Sequence, residues 1–418
     1  MKRYWKLILL VSFTVLVIGA FYIQTSTATS RLPEFAFETV NGDEKEIEKL
    51  TLEASFIQEG IGDSFQLNVD GTTYWGEYSY FERMLGVNQS PKMERLQKDY
   101  RNFMRGKSMT PYHFYEDENF LVYVNLTWDT MNGYQPDDFE LDIGILDKVS
   151  KEETSFQAPV PLNKDSMIYT MDVEGIHIVD GQLKIMSRNY SFDKQSEKDV
   201  TTYQVYLVDI AEKSIQSETV IKPKEDEVST NQYREIRIVN NRWEDIQQPM
   251  EQVVFEEELV EELVEESVID EMESTYETVE RELVQYDLAT GEKEEIKLPK
   301  EISNNAFPYA VNDEIIYFTE DVEGKLELTS YNIESGELEA KQTIAIPDVT
   351  DEQGYMYKIH GDKVYVVPAT KNAEQDLPLH IVHLKTGDTL YEGKITMKNP
   401  KKQDIDYNLD IHSIELDE

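Results

Sequence analysis

The sequence predicts an all-β fold made of repeated four-stranded units, because it combines alternating strands, a recurring turn and a regular spacing. The pattern is clearest at residues 283–292, 328–337 and 379–388, where an alternating apolar strand ends in a polar residue and leads through a short polar turn to a glycine. Glycine adopts the positive φ that a tight turn between antiparallel strands requires. Each segment is therefore predicted to be a hairpin.

The spacing of these turns extends the prediction to a whole architecture. The turn entries Asp287 and Asn332 lie 45 residues apart, and His383 lies 51 residues beyond Asn332. A period of roughly 40–50 residues with four strands in each repeat is typical of a β-propeller blade. The sequence thus predicts a β-propeller of six to seven four-stranded blades over residues 31–418. An unrelated series of β-meanders or a pair of sandwiches is the alternative.

The two ends of the repeat region are expected to share a blade. An early copy of the turn covers residues 35–43, and residues 35–52 would supply only the second hairpin of a unit. Residues 407–414 could supply its missing strands, which would leave no free sheet edge. Residues 53–110 are predicted to form an irregular blade or a cap, with a helix over residues 91–105. Seven blades follow if this region is a blade, and six if it is not.

Weaker copies of the turn occur at Asp147 and Asp209. Together with the clear copies, they resemble the repeats of bacterial extracytoplasmic β-propellers of the quinoprotein-like or YVTN type, in which a strand ending in Asp leads through Thr-x-Gly into the next strand. The resemblance covers residues ~110–400. It implies a propeller but no particular activity, since propellers serve as scaffolds, ligand binders and enzymes.

The first 30 residues are predicted to be a membrane anchor or a signal peptide with a short linker. Lys2, Arg3 and Lys6 form a basic head, and residues 7–23 follow without one charge. The length of this run favours a transmembrane helix, whereas the small residues at 26–28 favour cleavage. We expect the remaining chain to lie outside the cytoplasm, either anchored to the cell membrane by a single pass or secreted.

An acidic block at residues 250–282 interrupts the repeat. Apolar residues recur there every fourth position, which predicts an amphipathic helical insertion. Residues 251–282 contain 14 acidic residues and Arg281 as the one basic residue. The block is interpreted as an arm that contacts a partner, or alternatively as a solvated insertion. The residues of this candidate interaction arm are Phe255, Leu259, Leu263, Glu258, Glu262 and Glu266.

Composition limits the chemistry that the chain can perform. The formal net charge of −43 repels nucleic acid and favours cationic partners, and the absence of cysteine excludes thiolate chemistry. His380 and His383 are three positions apart on a predicted strand, so they should face opposite sides and not form a metal pair. Residues 68–75 resemble the Asp-box hairpin of sialidase-like propellers but lack its serine, which favours a plain Asp-Gly turn. We expect no metal site and no cofactor.

These observations favour a binding module over an enzyme. The predicted function is that of a membrane-tethered extracytoplasmic propeller that acts as a binding or scaffold module in the cell envelope. Its expected partner is an envelope protein or a cationic ligand. The alternative is a secreted propeller hydrolase that acts on cell-wall glycans, for which the many carboxylates could supply a catalytic pair.

Overall fold

The computed structural model shows a chain dominated by antiparallel β-strands. It describes residues 13–14, 32–58, 61–78, 91–128, 139–161, 166–194, 198–224, 229, 231–239, 246–247, 249–266, 272–303, 305–312, 314–322, 325–345, 355–372, 377–398 and 407–416. Within these residues, the one helix of seven or more residues is α1 (Pro91–Asp99). Three short 3-10 helices span Glu44–Ile47, Trp75–Glu77 and Pro111–His113.

The strands are numbered in chain order. The first thirteen are β1 (Glu34–Gly42), β2 (Leu50–Gln58), β3 (Ile61–Asn68), β4 (Gly71–Tyr74), β5 (Phe114–Glu116), β6 (Phe120–Trp128), β7 (Phe139–Asp147), β8 (Glu153–Pro159), β9 (Ser166–Val179), β10 (Gln182–Asp193), β11 (Lys198–Asp209), β12 (Ser214–Ile221) and β13 (Gln232–Ile238). The others are β14 (Gln252–Glu266), β15 (Met272–Asp287), β16 (Lys293–Ile296), β17 (Phe307–Asn312), β18 (Ile315–Val322), β19 (Lys325–Asn332), β20 (Glu337–Ala345), β21 (Tyr355–His360), β22 (Lys363–Pro368), β23 (Thr370–Asn372), β24 (Leu377–His383), β25 (Thr389–Lys398) and β26 (Asn408–Leu416).

The described strands form six antiparallel sheets. Four sheets contain four consecutive strands each, namely β5–β8, β9–β12, β13–β16 and β17–β20. The other two contain five strands, in the orders β1-β25-β24-β22-β21 and β23-β26-β2-β3-β4. Successive four-stranded antiparallel sheets fit a propeller-like fold, and the number of sheets agrees with six blades and not with seven.

The predicted acidic helical insertion is wrong, because residues 252–266 and 272–282 of the block belong to the long strands β14 and β15, which pair along their whole length. The error has a geometric cause. Phe255, Leu259 and Leu263 are spaced by four residues, which places them on one face of a helix and also on one face of a strand. The neighbouring Val253 and Val254 are buried as well and are β-branched, which favours a strand.

The structure also corrects the predicted transmembrane helix. Among the residues that are described, no helix is both long enough and apolar enough to cross a membrane. Of the predicted apolar run at residues 7–23, Phe13 and Thr14 are described, and the rest of the run lies outside the described residues.

The early copy of the turn at residues 35–43 is not a hairpin, which corrects that prediction. β1 pairs with β25, while the next strand, β2, belongs to a different sheet and pairs with β26 and β3. A 3-10 helix follows directly after β1, and Asp43 caps it by accepting from the backbone N–H of Lys45. Strands from the two ends of the described chain therefore share two sheets.

The chain divides into two compact units, each with its own core. Unit 1 comprises residues 1–90, 322–325 and 344–418, and unit 2 comprises residues 91–321 and 326–343. In unit 1, Phe35 of β1 stacks on Phe65 of β3 with ring centroids 5.1 Å apart, which joins its two five-stranded sheets. Burial of such aromatic side chains is a large part of the driving force for folding.

In unit 2, consecutive sheets pack face to face. Ile176 and Ile185 of the second four-stranded sheet pack against side chains of the first. Tyr203 of the same sheet meets Phe255 of the third sheet, with ring centroids 5.0 Å apart. Phe318 of the fourth sheet belongs to a cluster with residues of the third. The apolar residues of the second and third sheets are thus covered from both sides.

One turn is used five times, between the third and fourth strands of five sheets. A side-chain acceptor at its first residue binds a backbone N–H three residues later, as in the 2.8 Å bond from Ser335 N to Asn332 Oδ1. The residue four positions on has a positive φ. The first residues are Asp147, Asp209, Asp287, Asn332 and His383, and the residues with positive φ are Lys151, Lys213, Gly291, Gly336 and Gly387. This arrangement confirms the hairpins predicted at residues 283–292, 328–337 and 379–388.

The reciprocal replacements Gly336→Ala and Lys151→Gly should change stability in opposite directions. A Cβ at Gly336 would meet only ordinary contact, 3.9 Å from the Tyr331 hydroxyl, so the cost arises from the backbone at φ 70°. We expect Gly336→Ala to lower the free energy of unfolding by about 1 kcal/mol and Lys151→Gly to raise it by about 0.5 kcal/mol. Urea denaturation measures both, with Lys151→Ala as the neutral control. If both variants changed the free energy of unfolding equally and in the same direction, positions 151 and 336 would not share one turn conformation.

His177 should make the protein acid-sensitive. Its side chain is buried, and burial lowers the pKa of its imidazole to about 4. Below about pH 6.5 the unfolded chain binds a proton that the folded chain does not bind, so stability falls until about pH 4. The difference in unfolding free energy between wild type and His177→Leu should therefore change by about 3 kcal/mol between pH 7 and pH 4. Parallel pH series of urea melts would show no such change if the imidazole titrated normally.

Candidate functional site

The β14–β15 hairpin is longer than the sheet that contains it. β13 pairs with β14 only between Phe255 and Glu261, and β16 pairs with β15 only between Leu283 and Tyr286. The two long strands continue to pair with each other as far as Glu266 and Met272. Residues 262–266 and 272–276 therefore extend beyond the sheet as a two-stranded ribbon, which we call the distal ribbon.

The base of the hairpin carries a buried ionic cluster on one face. Glu256 is fully buried and forms ion pairs with Arg237 of β13 and Arg281 of β15, the latter with 2.6 Å between Arg281 Nε and Glu256 Oε1. Arg281 also donates to Glu258 at 2.8 Å and to the backbone carbonyl of Ala306. Two arginines from neighbouring strands thus compensate carboxylates that the core would otherwise exclude.

Burial and the neighbouring arginines have opposite effects on the pKa of the Glu256 carboxyl. Removal from water raises the pKa of its carboxyl to about 7, even though Arg237 and Arg281 act to lower it. The guanidinium of Arg237 also lies 4.0 Å from the ring centroid of Phe307, a cation–π contact that covers its outer side. The cluster is therefore a stability element whose charge state depends on pH.

The opposite face of the same hairpin carries a second ionic row. Glu257 accepts from the backbone N–H of Lys224 at 2.7 Å and lies 3.7 Å from Arg234. Arg234 also pairs with Glu280 at 2.9 Å, and the ammonium group of Lys224 pairs with Glu282. Acidic residues near the base of the hairpin are therefore balanced on both faces by cations that precede it in the sequence.

The structure separates the six residues of the candidate interaction arm. Phe255 is buried in the core, and Glu258 is paired with Arg281, so both serve the base of the hairpin. Leu259 is half-buried, and Glu262 is half-buried at the point where the distal ribbon begins. Leu263 is 40% exposed on the ribbon, and the backbone of Glu266 ends β14.

The cations that make the base of the hairpin possible could not be found from the acidic block alone. Arg234 and Arg237 lie on β13, outside the acidic block, and no charge pattern within the block points to them. Their spacing is a usable signal, because residues three apart on a strand face opposite sides and can serve opposite faces of the next strand.

Unit 1 contains a pocket of 130 Å³ on the polar face of the β26-β2-β3-β4 region. The 3-10 helix after β4 forms one wall, where Trp75 and Tyr78 lie with ring centroids 6.4 Å apart and planes at 66°. This wall is held in place because the backbone N–H of Gly76 donates to Asp63 Oδ2 at 2.9 Å. The other residues that line the pocket are Glu53, Ala54, Ser64, Phe65, Gln66, Thr73 and His412.

Of the two histidines considered for metal binding, His383 takes part in a turn and His380 is buried in a strand. His383 Nδ1 accepts from the backbone N–H of Lys385 at 3.2 Å within the shared turn, and its Nε2 lies 3.4 Å from Asp362. His380 is buried in β24, and burial lowers the pKa of its imidazole. Among the described residues, no group of three or more His, Asp or Glu side chains has the arrangement of a metal site.

The comparisons with known proteins concern the fold. No family model matches the sequence, and no curated protein matches it either. Similar solved structures include the β-propeller domain of the Trilobed protease from Pyrococcus furiosus, at 13% identity, a TM-score of 0.24, and coverage of 66% of this chain and 80% of that chain. A lignostilbene dioxygenase from Pseudomonas brassicacearum is 9% identical at a TM-score of 0.40, covering 88% of this chain and 94% of that chain.

A third similar structure is an oligogalacturonate lyase from Vibrio parahaemolyticus, at 12% identity, a TM-score of 0.34, and coverage of 85% of this chain and 84% of that chain. The sheets of this chain define its class as a propeller-like all-β protein. No family match identifies it as a quinoprotein-like or YVTN-type propeller.

Replacing Arg281 by Met should destabilise the protein by about 3 kcal/mol, because it leaves Glu256 buried beside one cation instead of two. The loss should be larger at pH 8 than at pH 5, since a carboxyl with a raised pKa costs stability only where the unfolded chain would ionise it. Thermal and urea melts of Arg281→Met at both pH values measure the effect.

The matched control is Lys341→Met. Lys341 and Glu327 form an ion pair of 2.7 Å whose lysine side chain is 53% exposed, so its loss should cost less than about 1 kcal/mol. Adding Glu256→Gln to Arg281→Met should recover part of the stability. Equal losses in Arg281→Met and Lys341→Met would contradict a structural role for the buried cluster.

Proposed function

We propose that this protein is an extracytoplasmic binding module of the cell envelope, and that its distal ribbon captures a cationic, extended segment of a partner protein. The observation that carries the proposal is the extension of β14 and β15 beyond the strands on either side of them. In the part of the chain that the structure describes, no strand pairs with the outer edge of β15 between residues 272 and 280.

An open strand edge is a natural place for another chain to add a strand. Its backbone N–H and C=O groups bind an extended segment, and side chains on alternate positions select which segment binds. Leu263 on the ribbon and Val279, which lies on β15 next to the ribbon, are 40% and 46% exposed and offer apolar contacts. The partner segment should therefore alternate apolar and polar residues.

The negative charge of the distal ribbon determines which charge its partner should carry. Residues 262–276 contain six acidic residues and no lysine, arginine or histidine. A second copy of the ribbon would be repelled by these carboxylates, whereas a lysine-rich or arginine-rich strand would be attracted. The basal carboxylates are already paired with arginines, so the distal ones supply most of this selectivity.

The location outside the cytoplasm is supported by the basic head and the uncharged run within the first 23 residues, which together have the character of an export signal. An acidic surface is suited to binding basic proteins in that compartment. The same charge disfavours nucleic acid as a ligand.

Shortening the ribbon should abolish capture without unfolding the protein. Glu262 and Tyr276 are directly paired, so residues 263–275 can be replaced by an Asn-Gly turn that closes the hairpin at this pair. The probe is a dodecapeptide of alternating lysine and valine. We expect binding, followed by fluorescence anisotropy, to weaken by about tenfold or more in the shortened protein, while thermal melts stay close to wild type.

Two controls separate strand addition from general attraction. The first neutralises as many exposed carboxylates elsewhere as the shortened ribbon loses, by replacing Glu292, Glu294, Glu295, Glu334 and Glu337 with Gln. The second is a peptide of equal charge with proline at alternate positions, which lacks the backbone donors that a strand needs. Equal binding of both peptides, or unchanged binding by the shortened protein, would refute the proposal.

A further inference from the structure

The pocket of unit 1 has the chemistry of a small-ligand site and lies on residues unrelated to the distal ribbon. The backbone of its aromatic wall is preorganised by hydrogen bonds within the protein. Gly76 is held by Asp63, and Tyr74 is buried, with its hydroxyl donating to the carbonyl of Pro33 at 2.7 Å. Trp75 and Tyr78, on either side of Gly76, are therefore held by a fixed backbone, which lowers the entropic cost of binding.

The floor of the pocket consists of polar side chains on paired strands. Glu53 and Gln66 are directly opposite each other on β2 and β3, and Gln66 Nε2 donates to Glu53 Oε1 at 3.2 Å. This bond uses one of the two amide N–H groups of Gln66 and leaves the other donor and several lone pairs for a ligand. Ser64 and Thr73 add hydroxyls that can donate or accept.

His412 completes the polar rim. Its Nε2 lies 2.8 Å from Ser55 Oγ, which fixes the ring at the edge of the pocket. The pocket thus combines an aromatic wall with groups that both donate and accept hydrogen bonds. A ligand that matches both needs a flat C–H face and a rim of hydroxyl groups, and a pyranose ring has both.

The volume of the pocket and the charge around it limit the choice of ligand further. A cavity of about 150 Å³ accommodates benzene, so 130 Å³ suits roughly one six-membered ring. Glu53 is the one carboxylate that lines the pocket, and the protein carries a formal net charge of −43, both of which disfavour an anionic sugar. Glycoside hydrolysis ordinarily needs two carboxylates, so the pocket is equipped to bind a sugar and not to cleave it.

We propose that this pocket binds one pyranose ring of a neutral saccharide, stacked on Trp75 with Tyr78 beside it and hydrogen-bonded by Glu53 and Gln66. A quaternary ammonium ion is the competing ligand, because aromatic rings beside a carboxylate also attract cations. Such an ion makes no use of Gln66, Ser64 or Thr73, whereas sugar hydroxyls use all three. This inference goes beyond the proposed function, since it concerns different residues in the other unit.

The test is a titration of the full-length protein with methyl β-D-glucoside, methyl β-D-galactoside, methyl α-D-mannoside, N-acetylglucosamine and tetramethylammonium, followed by saturation-transfer NMR. We expect at least one saccharide to bind, and binding to fall by about tenfold or more in Trp75→Leu. Trp75→Phe should retain part of the affinity. Gln66→Leu should weaken saccharide binding and leave binding of tetramethylammonium unchanged.

The matched control is Trp128→Leu. Trp128 lies on β6 in unit 2 and is 49% exposed, so its loss removes an accessible tryptophan without touching the pocket. It should change saccharide affinity by less than about twofold. Binding of no saccharide by the wild type, equal binding by Trp75→Leu, or Trp75-dependent binding of tetramethylammonium alone would each overturn the proposal. None of these results bears on peptide capture by the distal ribbon, so the two proposals fail separately.

Discussion

Compensation of buried carboxylates by arginine is the constraint on which the centre of unit 2 depends. Glu256 is fully buried between Arg237 and Arg281, and Glu257 on the opposite face is served by Arg234. A carboxylate in the core is costly unless it is paired and hydrogen-bonded. Here the pairing allows a strongly acidic segment to become two central strands, with apolar neighbours such as Phe255 packed against the adjoining sheet.

The same pairing divides the hairpin into two parts that differ in charge balance and in the strands that flank them. Near the base, cations from β13 and β15 balance the carboxylates, and the strands are covered on both sides. Beyond the pair of Glu262 with Tyr276, residues 263–275 contain no cation, and the sheet no longer flanks the strands. An acidic surface with an open edge remains, and its charge opposes pairing with another copy. The base of the hairpin is thus a structural element, and the proposed recognition falls on the stretch that follows it.

Much of the fold could be predicted from the sequence because its turns are encoded locally. The side chain of Asp287 accepts from the backbone N–H of Thr290, and Gly291 takes a positive φ, all within five residues. The weaker copies at Asp147 and Asp209 keep the acceptor but place Lys151 and Lys213 where the others have glycine. Their hydrogen bonds hold the turn, which is why the repeat was visible there although its glycine is missing.

What could not be predicted depends on contacts between distant residues. The four-residue spacing of Phe255, Leu259 and Leu263 fits both a helix and a strand, and the pairing of this segment with β13 and β15 decides between them. The pocket also depends on contacts between residues that are separated in the sequence. Trp75 lies beside an Asp-Gly turn that was read as structural alone, and it becomes part of a site through strands β2 and β26, which are far from it in sequence.

The pairing between the two ends of unit 1 has a consequence for the order of folding. Leu50 pairs with Leu416, and Glu34 pairs with Lys398, so both sheets of unit 1 need residues from beyond position 388. Unit 2 needs no residue after 343. A chain emerging from its N-terminus can therefore assemble unit 2 while β1 still lacks β25 and β2 still lacks β26, and unit 1 forms last. Closing so long a loop is slow, and during that interval the exposed aromatic side chains of β1 and β3 are the part of the chain most dependent on protection from aggregation.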